Sequence, residues 1–436
     1  MMRSPRSVLR PLRWIYGRPA LPHNKILIKK VLNMDTKLIR WPRLLVAAIT
    51  MLFAGVIYAW SVLKAPLGAE FGWTPSQLAL NFTLTLCFFC IGGVVGSKLT
   101  PKAGPKITLW IAAALVAAGF FLASRLSGNV IMLYVAYAGL AGLGIGITYN
   151  VVISCTNAWY PDKKGTCSGV MMMCFGFSSL LLGKVADAMF AMDEMGWRKT
   201  YMIFGIAIAA VIAVCALGIQ RPAPGTVFPE AASKGNAAKE DFAVENLTTA
   251  EMAKRSSFWR FFIFSVLTSA VGSSVISFAR DLALSVGAEA ALATTLVGVL
   301  SLCNGLGRII CGFVFDAFGR RKTMMISNMI TIIAPLVVLL AVTEHSLGLC
   351  IVGLCLTGIC YGFSPTISSS FVGAFYGLKY FPTNYSLANM MLIPSSFAST
   401  LASALLTSTG GYAAPFIMLL TFAIVALVLN ISIKRP

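Results

Sequence analysis

Charge is scarce in this chain, and negative charge is the scarcest. Of 436 residues only 11% are charged, 15 of them Asp or Glu, and there are two histidines. Soluble domains carry about 25% charged residues, so the composition excludes a soluble enzyme. So few carboxylates and imidazoles leave little from which to build a metal centre or an acid–base pair. His23 lies in the N-terminal tail and His345 in a short loop, each without a partner in sequence. No catalytic triad, metal cluster or phosphate loop stands out, and neither enzymatic activity nor a cofactor is expected. Gly139, Gly142, Gly144 and Gly146 in "AGLAGLGIGITYN" mimic a nucleotide-binding loop. They lie in an apolar run with no strand before them, where small residues serve close helix packing.

The N-terminal stretch lacks a secretory signature. Residues 1–33 are basic, with only short apolar runs and no small-residue cleavage site. Two readings stand: a functional basic tail, or a natural start at Met34, which opens "MDTKLIRWPRLL", with an over-extended frame or a disordered arm before it. The second is the expected one. Cysteine is plentiful, but all eleven fall within or at the ends of apolar runs, Cys87 and Cys90 of "CFFC" included. Without a redox fold around them they read as small packing residues.

What the chain does have is apolar length. Hydrophobic residues make up 58%, and runs such as "LLVAAITMLFAGVIYAWSVL" reach the roughly 20 residues that a helix needs to span a bilayer. Twelve spans are predicted, at 44–66, 77–97, 107–125, 129–155, 166–190, 199–219, 259–279, 289–314, 323–343, 346–374, 384–407 and 412–433. The net charge of +20 suggests nucleic acid until the 35 basic residues are placed. Twenty-eight fall in the tails and alternate loops of one side and five on the other, with Arg308 and Lys184 inside spans. That is the positive-inside pattern. It predicts a multi-pass protein of the cell membrane with both termini cytoplasmic and no nucleic-acid partner.

Six spans precede the polar stretch around "GTVFPEAASKGNAAKEDFAVENLTTAEMAKRSS" and six follow it. We therefore expect a basic extension (1–41), a first six-helix bundle (42–219), a cytoplasmic linker (220–257) and a second bundle (258–436). Thr248 and Glu251 have capping-box spacing, predicting a short helix before the seventh span. "NLT" at Asn246 matches a glycosylation sequon that has no meaning on a cytoplasmic face. A repeat relates the halves. "GFVFDAFGRRK", with Gly312, Asp316, Gly319, Arg320 and Arg321, lies between the eighth and ninth spans. Moving 215 residues back reaches "SKLTPKAGPK", where Gly104 and Lys106 match Gly319 and Arg321 while Pro101 replaces Asp316. Such duplication is common among transporters.

With this motif, its degenerate first copy and the six-plus-six layout, residues 42–433 resemble the major facilitator superfamily. The resemblance implies an all-α fold of two pseudo-symmetric bundles rocking around one central solute site, generally as a monomer. It also implies that Asp316 and Arg320 pair at the cytoplasmic face as gate residues when the cavity opens outward, with Gly312, Gly319 and Arg321 in the same latch.

Charges within spans mark function by default. Arg308 lies eight residues before Asp316, roughly 12 Å into the membrane, and no carboxylate lies deep in any span. Two readings stand at this point. Arg308 faces a water-filled cavity and grips an arriving carboxylate bidentately, or it snorkels to the interface. Lys184, near the outer end of the fifth span, has Asp187 at i+3 for a local ion pair, and Lys64 lies near the outer end of the first.

Finer likeness is carried by "GVIYAWSVL", "GLGIGITYNVVISCTNAWYPDKKGTCSGVMM" and "NGLGR", which resemble the oxalate:formate antiporter family, akin to the monocarboxylate transporters. That resemblance puts its carboxylate-binding arginine on Arg308 and its aromatic box near Tyr58, Trp60, Tyr149 and Tyr361. It departs in the eleventh span. Oxalate exchangers carry a lysine a few residues after an Asn-Tyr pair; here Asn384 and Tyr385 are followed by Leu392 at that place. One fixed cation suits a monocarboxylate such as formate or lactate better than oxalate, with Asn389 and Ser395 as neutral hydrogen-bonding groups. Arginine does not usefully deprotonate, which favours anion exchange or facilitated flux over proton symport. A transporter of another organic solute or drug, and a non-transporting membrane sensor, stay open as alternatives.

Overall fold

A computed structural model describes residues 40–192, 194–223, 226 and 246–433. The tail with Met34 and most of the linker lie outside the described residues. Within them all regular structure is helical. Ten helical stretches are long and apolar enough to cross a membrane. Two of these are double. Pro75–Ser124 breaks at Gly104 (φ 81°, ψ 161°) and Ala290–Thr343 breaks at Gly319 (φ 75°, ψ 178°). Counting each as two gives twelve spans.

Those two breaks show the repeat in three dimensions. The matched glycines adopt the same backbone region, one that side chains with a Cβ rarely enter, and each reverses the chain between paired spans. The reversal is visible in the packing: Gly142 of the fourth span lies on Thr85, and Gly119 lies on Ala141, so residues on either side of Gly104 return to the same level.

The remaining spans are Arg40–Phe71 (first), Val130–Asn157 (fourth), Lys164–Phe190 (fifth), Gly196–Cys215 (sixth), Leu347–Tyr376 (tenth) and Ala413–Ser432 (twelfth). The seventh is Ser256–Ser285. The eleventh, expected to be continuous, is two helices, Phe381–Asn389 and Leu392–Thr409. Pro394 explains the interruption: it has no N–H to return to the carbonyl of Met390, which accepts from Ile393 instead. Two further irregularities fall in the first half. The first span tightens to a 3-10 helix over Gly55–Ala59, and the fourth contains a π-helix over Tyr134–Ala141.

The start of the first span, the end of the sixth, the start of the seventh and the end of the twelfth share one end of the molecule. Arg43 donates to Gly218 O at 3.4 Å, and Arg260 donates to Ser432 O at 2.6 Å. We call this the linker side. Here Thr249–Lys254 forms the short helix, capped by Thr248, which exchanges hydrogen bonds with Glu251. Asn246 is held against the tenth–eleventh turn, where its Oδ1 accepts from Lys379 N at 3.0 Å. Apolar side chains at helical spacing, such as Ile107, Trp110 and Ile111, are exposed on the outside, the surface that lipid solvates.

Candidate functional site

A cavity lies between the halves. Its walls are Tyr58, Phe89, Tyr149 and Phe175 from the first half and Ser269, Arg308, Tyr361, Pro365, Asn389 and Leu392 from the second. The space open to water centres is about 20 Å³, room for one or two waters.

Arg308 is its only lining residue with a charge. The side chain is 3% exposed. Its Nη1 donates to the carbonyl of Met172 across the interface between halves, and its Nε approaches Asn304 Oδ1 at 3.4 Å. No described carboxylate pairs with it, whereas Arg40–Asp162 and Arg198–Glu70 are ion pairs elsewhere among the described residues. Gly176 makes the seat. A Cβ there would stand 3.3 Å from both Cζ and Nη1, so bare backbone is what lets the flat guanidinium lie against the fifth span. Buried in this way and turned toward the first half, Arg308 does not snorkel.

The rest of the wall is aromatic and neutral. Phe175 is the hub, edge-on to Tyr58 at 5.4 Å and to Tyr149 at 4.9 Å between ring centroids. Phe89 meets Tyr149 at 5.0 Å. Tyr361 packs on Gly272 of the seventh span. Arg308, Tyr149 and Tyr361 face the same cavity. Asn389 and Leu392 enter the cavity at the break in the eleventh span, where the thiol of Cys90 donates to Asn389 O at 3.5 Å.

Five of the six residues expected at the site therefore share one cavity: Arg308, Tyr58, Tyr149, Tyr361 and Asn389. Trp60 does not. It is 4% exposed, donates from its indole to Leu78 O at 2.9 Å and packs on Tyr137 at 4.7 Å. Two helical steps from Tyr58 turn it roughly 200° to the far face of the span, so it is a core residue of the first half. Ser395 returns its hydroxyl to Leu392 O at 3.1 Å instead of lining the cavity. Lys184 and Asp187 are exposed, and their pairing is not among the described ion pairs. Phe89 and Phe175 escaped the sequence reading because an aromatic in an apolar span carries no mark of its role. The Met172 carbonyl is backbone and carries none at all.

Below the cavity, toward the linker side, hydrogen bonds tie the halves together. Tyr149 and Tyr385 share a hydroxyl contact at 3.1 Å. Asn150 donates to Ser386 Oγ at 2.8 Å and to Pro382 O at 3.0 Å, and Ser386 donates to Gly93 O at 2.8 Å. Asn157 donates to Ser369 at 3.3 Å, and Ser168 meets Ser369 at 2.9 Å.

At the linker-side end Asp316 supplies the charged contact. Its carboxylate accepts from Gly165 N at 2.9 Å, Thr166 N at 2.7 Å and Thr166 Oγ1 at 2.6 Å. These amides open the fifth span, where helical N–H groups have no partner of their own and the helix dipole favours an anion. Asp316 was expected to act at this face together with Arg320; the hydrogen bonds it accepts here come from a helix N-terminus of the opposite half. Arg320 lies with its guanidinium 4.9 Å above the Phe375 ring, and Arg321 is exposed. Gly312 brings the eighth span against the backbone of Gly165.

A family model described as Major Facilitator Superfamily matches residues 44–287 and 261–436. An uncharacterized MFS-type transporter of Escherichia coli (strain K12), YhjX, is 28% identical over 353 residues, covering 80% of this chain and 83% of that one. The oxalate:formate antiporter of Oxalobacter formigenes is 27% identical over 290 residues, 66% of each chain. The solved structure of the proton:xylose symporter XylE bound to 6-bromo-6-deoxy-D-glucose has the same fold, with a TM-score of 0.70 at 15% identity over 92% of this chain and 97% of that one.

Proposed function

Because this chain belongs to the major facilitator superfamily, and is thereby a multi-pass membrane transporter, we propose that its solute is a small organic anion, specifically a monocarboxylate, carried by alternating access as exchange or facilitated flux. The observation that carries this reading is Arg308, a cation buried in the inter-half cavity without a carboxylate partner among the described residues. A buried unpaired charge is costly, and a bound carboxylate supplies the missing partner through two parallel N–H···O bonds.

The neutral wall supports one negative charge rather than two. Tyr58, Tyr149 and Tyr361 enclose the anion, Asn389 offers its amide, and Leu392 adds no second cation. The cavity's size favours a solute of a few heavy atoms. Its lining has no carboxylate or histidine, so no side chain there titrates near neutrality to carry a coupled proton. Likeness to the oxalate:formate antiporter agrees with anion exchange.

In the same reading the linker side is cytoplasmic, the membrane is the cell membrane and the chain acts as a monomer. Asp316, Gly312, Gly319, Arg320 and Arg321 form the latch that holds the linker side shut, with Asp316, of the eighth span, held by the start of the fifth. The test is purified protein in liposomes loaded with unlabelled formate, lactate or oxalate, followed by uptake of each labelled anion. Accumulation of a monocarboxylate by exchange, with little oxalate, is expected. Failure of every carboxylate overturns the reading and directs the search to uncharged or cationic solutes.

A further inference from the structure

The two phenols beneath the cavity are not equivalent. Tyr149, of the first half, lines the cavity; Tyr385, of the second half, is fully buried behind it and is not among the lining residues. Their hydroxyls meet at 3.1 Å, and either can be the donor. The rings are stacked, 6.3 Å apart and 21° from parallel, and Tyr385 also stacks with Phe381 at 5.3 Å and 6°. This geometry keeps the two oxygens adjacent whichever way the bond runs.

We propose that Tyr385 is a positioning residue for the anion, acting through Tyr149 without touching it, so that occupancy of the cavity strengthens a bond between the halves on the linker side. A phenol has one proton to donate and lone pairs to accept. With the cavity empty, Tyr149 donates to Tyr385 or the reverse. Once a carboxylate takes the Tyr149 proton, Tyr149 can only accept from its neighbour, and the run becomes Tyr385 to Tyr149 to anion. No proton changes owner. Each bond polarises the next, since a hydroxyl that accepts is a better donor. Arg308 and Tyr149 line the same cavity, so the anion that pairs with the guanidinium is also the one that sets the direction of the run.

The consequence is structural as well as energetic. The Tyr149–Tyr385 bond joins the fourth and eleventh spans immediately above the Asn150–Ser386 contacts. A loaded cavity therefore tightens the closure of the face away from which the anion arrived. A cation cannot accept from the phenol, and a neutral hydroxyl accepts more weakly than a carboxylate, so neither aligns the run as an anion does. The proposal rests on the anion reading above, and its test separates the two.

Equilibrium binding of radiolabelled formate, lactate and oxalate is measured on full-length purified protein as wild type, Tyr149→Phe, Tyr385→Phe, the double variant and Ser386→Ala. The last removes other inter-half hydrogen bonds of the same closure but no hydroxyl behind Tyr149. We expect Tyr149→Phe to weaken the bound monocarboxylate about tenfold and Tyr385→Phe about fivefold, each the scale of one hydrogen bond. The double variant should be no weaker than Tyr149→Phe, because the second hydroxyl acts only through the first. Ser386→Ala, which loosens the closure alone, should weaken binding by less than Tyr385→Phe. A double variant equal to the product of the singles overturns the relay, as does a Tyr385→Phe affinity equal to wild type. An effect of Ser386→Ala equal to that of Tyr385→Phe also overturns it, assigning the loss to a loosened closure. Should Tyr149→Phe fail to fold, the comparison of Tyr385→Phe with Ser386→Ala decides alone. Wild type that binds none of the three anions defeats the anion reading itself, and the relay with it.

Discussion

Arg308, on the eighth span, donates through Nη1 to the carbonyl of Met172, on the fifth. The one charged group of the cavity is thus already engaged with the opposite half before any solute arrives. A single backbone carbonyl leaves the other donors of the guanidinium fork available. An anion that binds them is gripped by a residue fixed to both halves at once, which is how a site between two rocking bundles senses their separation.

The seat of this arginine gives the first prediction. Gly176 has no side chain, and a Cβ would stand 3.3 Å from Cζ and Nη1. Gly176→Ala asks the flexible end of Arg308 to yield by a few tenths of an ångström, and Gly176→Val asks for more. Anion affinity should fall modestly in the first and about tenfold or more in the second, the cost of losing one charge-assisted hydrogen bond. Binding titrations on protein that elutes as wild type by gel filtration check this; unchanged affinity in Gly176→Val removes the seat.

The latch gives the second. Asp316 accepts three hydrogen bonds at the start of the fifth span. Asp316→Asn keeps the shape but loses the charge opposite the helix N-terminus and one acceptor. The closed linker side should lose about 1–2 kcal/mol, roughly a tenfold shift in population. Spin labels at the exposed Lys102 and Lys322 positions, one in each half, report it as growth of a longer-distance component. A distribution identical to wild type denies Asp316 a gating role.

Leu392 gives the third. It lines the cavity with Arg308, at the place where oxalate exchangers carry lysine. Leu392→Lys puts a second cation there, and oxalate exchange should rise at the expense of monocarboxylate exchange. Vesicle uptake of the two labelled anions measures the ratio. A variant that folds, still exchanges the monocarboxylate and gains no oxalate leaves charge count irrelevant to selectivity.

The turn between the second and third spans gives the fourth. Gly104 has φ 81° and ψ 161°, and a Cβ there would meet nothing within 4 Å. The cost of Gly104→Ala is therefore conformational alone, on the order of 1–3 kcal/mol. A lowered thermal midpoint with no new clash is expected. An unchanged midpoint means the break at Gly104 relaxes without penalty.

Much of the architecture was legible because membrane physics writes it in one dimension. A span must be about 20 apolar residues long, and the Gly104–Gly319 correspondence exposed the duplication that the matching backbone breaks display. Arg308 was legible for the same reason, since a cation in an apolar run is conspicuous. Side-chain direction was less so. Tyr58 and Trp60 look alike in "GVIYAWSVL", and only the rotation between them sends one to the cavity and the other to the core. The contact of Asp316 with the fifth span was illegible because two of its three donors are backbone amides some 150 residues away, and every amide looks the same in a sequence. The break in the eleventh span was foreshadowed by Pro394, but its consequence, bringing Asn389 and Leu392 to the cavity, depends on where the partner helices stand.

The measurement that bears most directly on the whole account compares wild type with Arg308→Ala in liposomes loaded with an unlabelled monocarboxylate, following uptake of the labelled one. Removing a buried charge-assisted pair costs about 3–5 kcal/mol, so exchange should fall more than a hundredfold while the protein still elutes and melts as a folded species. If Arg308→Ala exchanges at the wild-type rate, the arginine is structural, and the cavity it lines is built for a different solute.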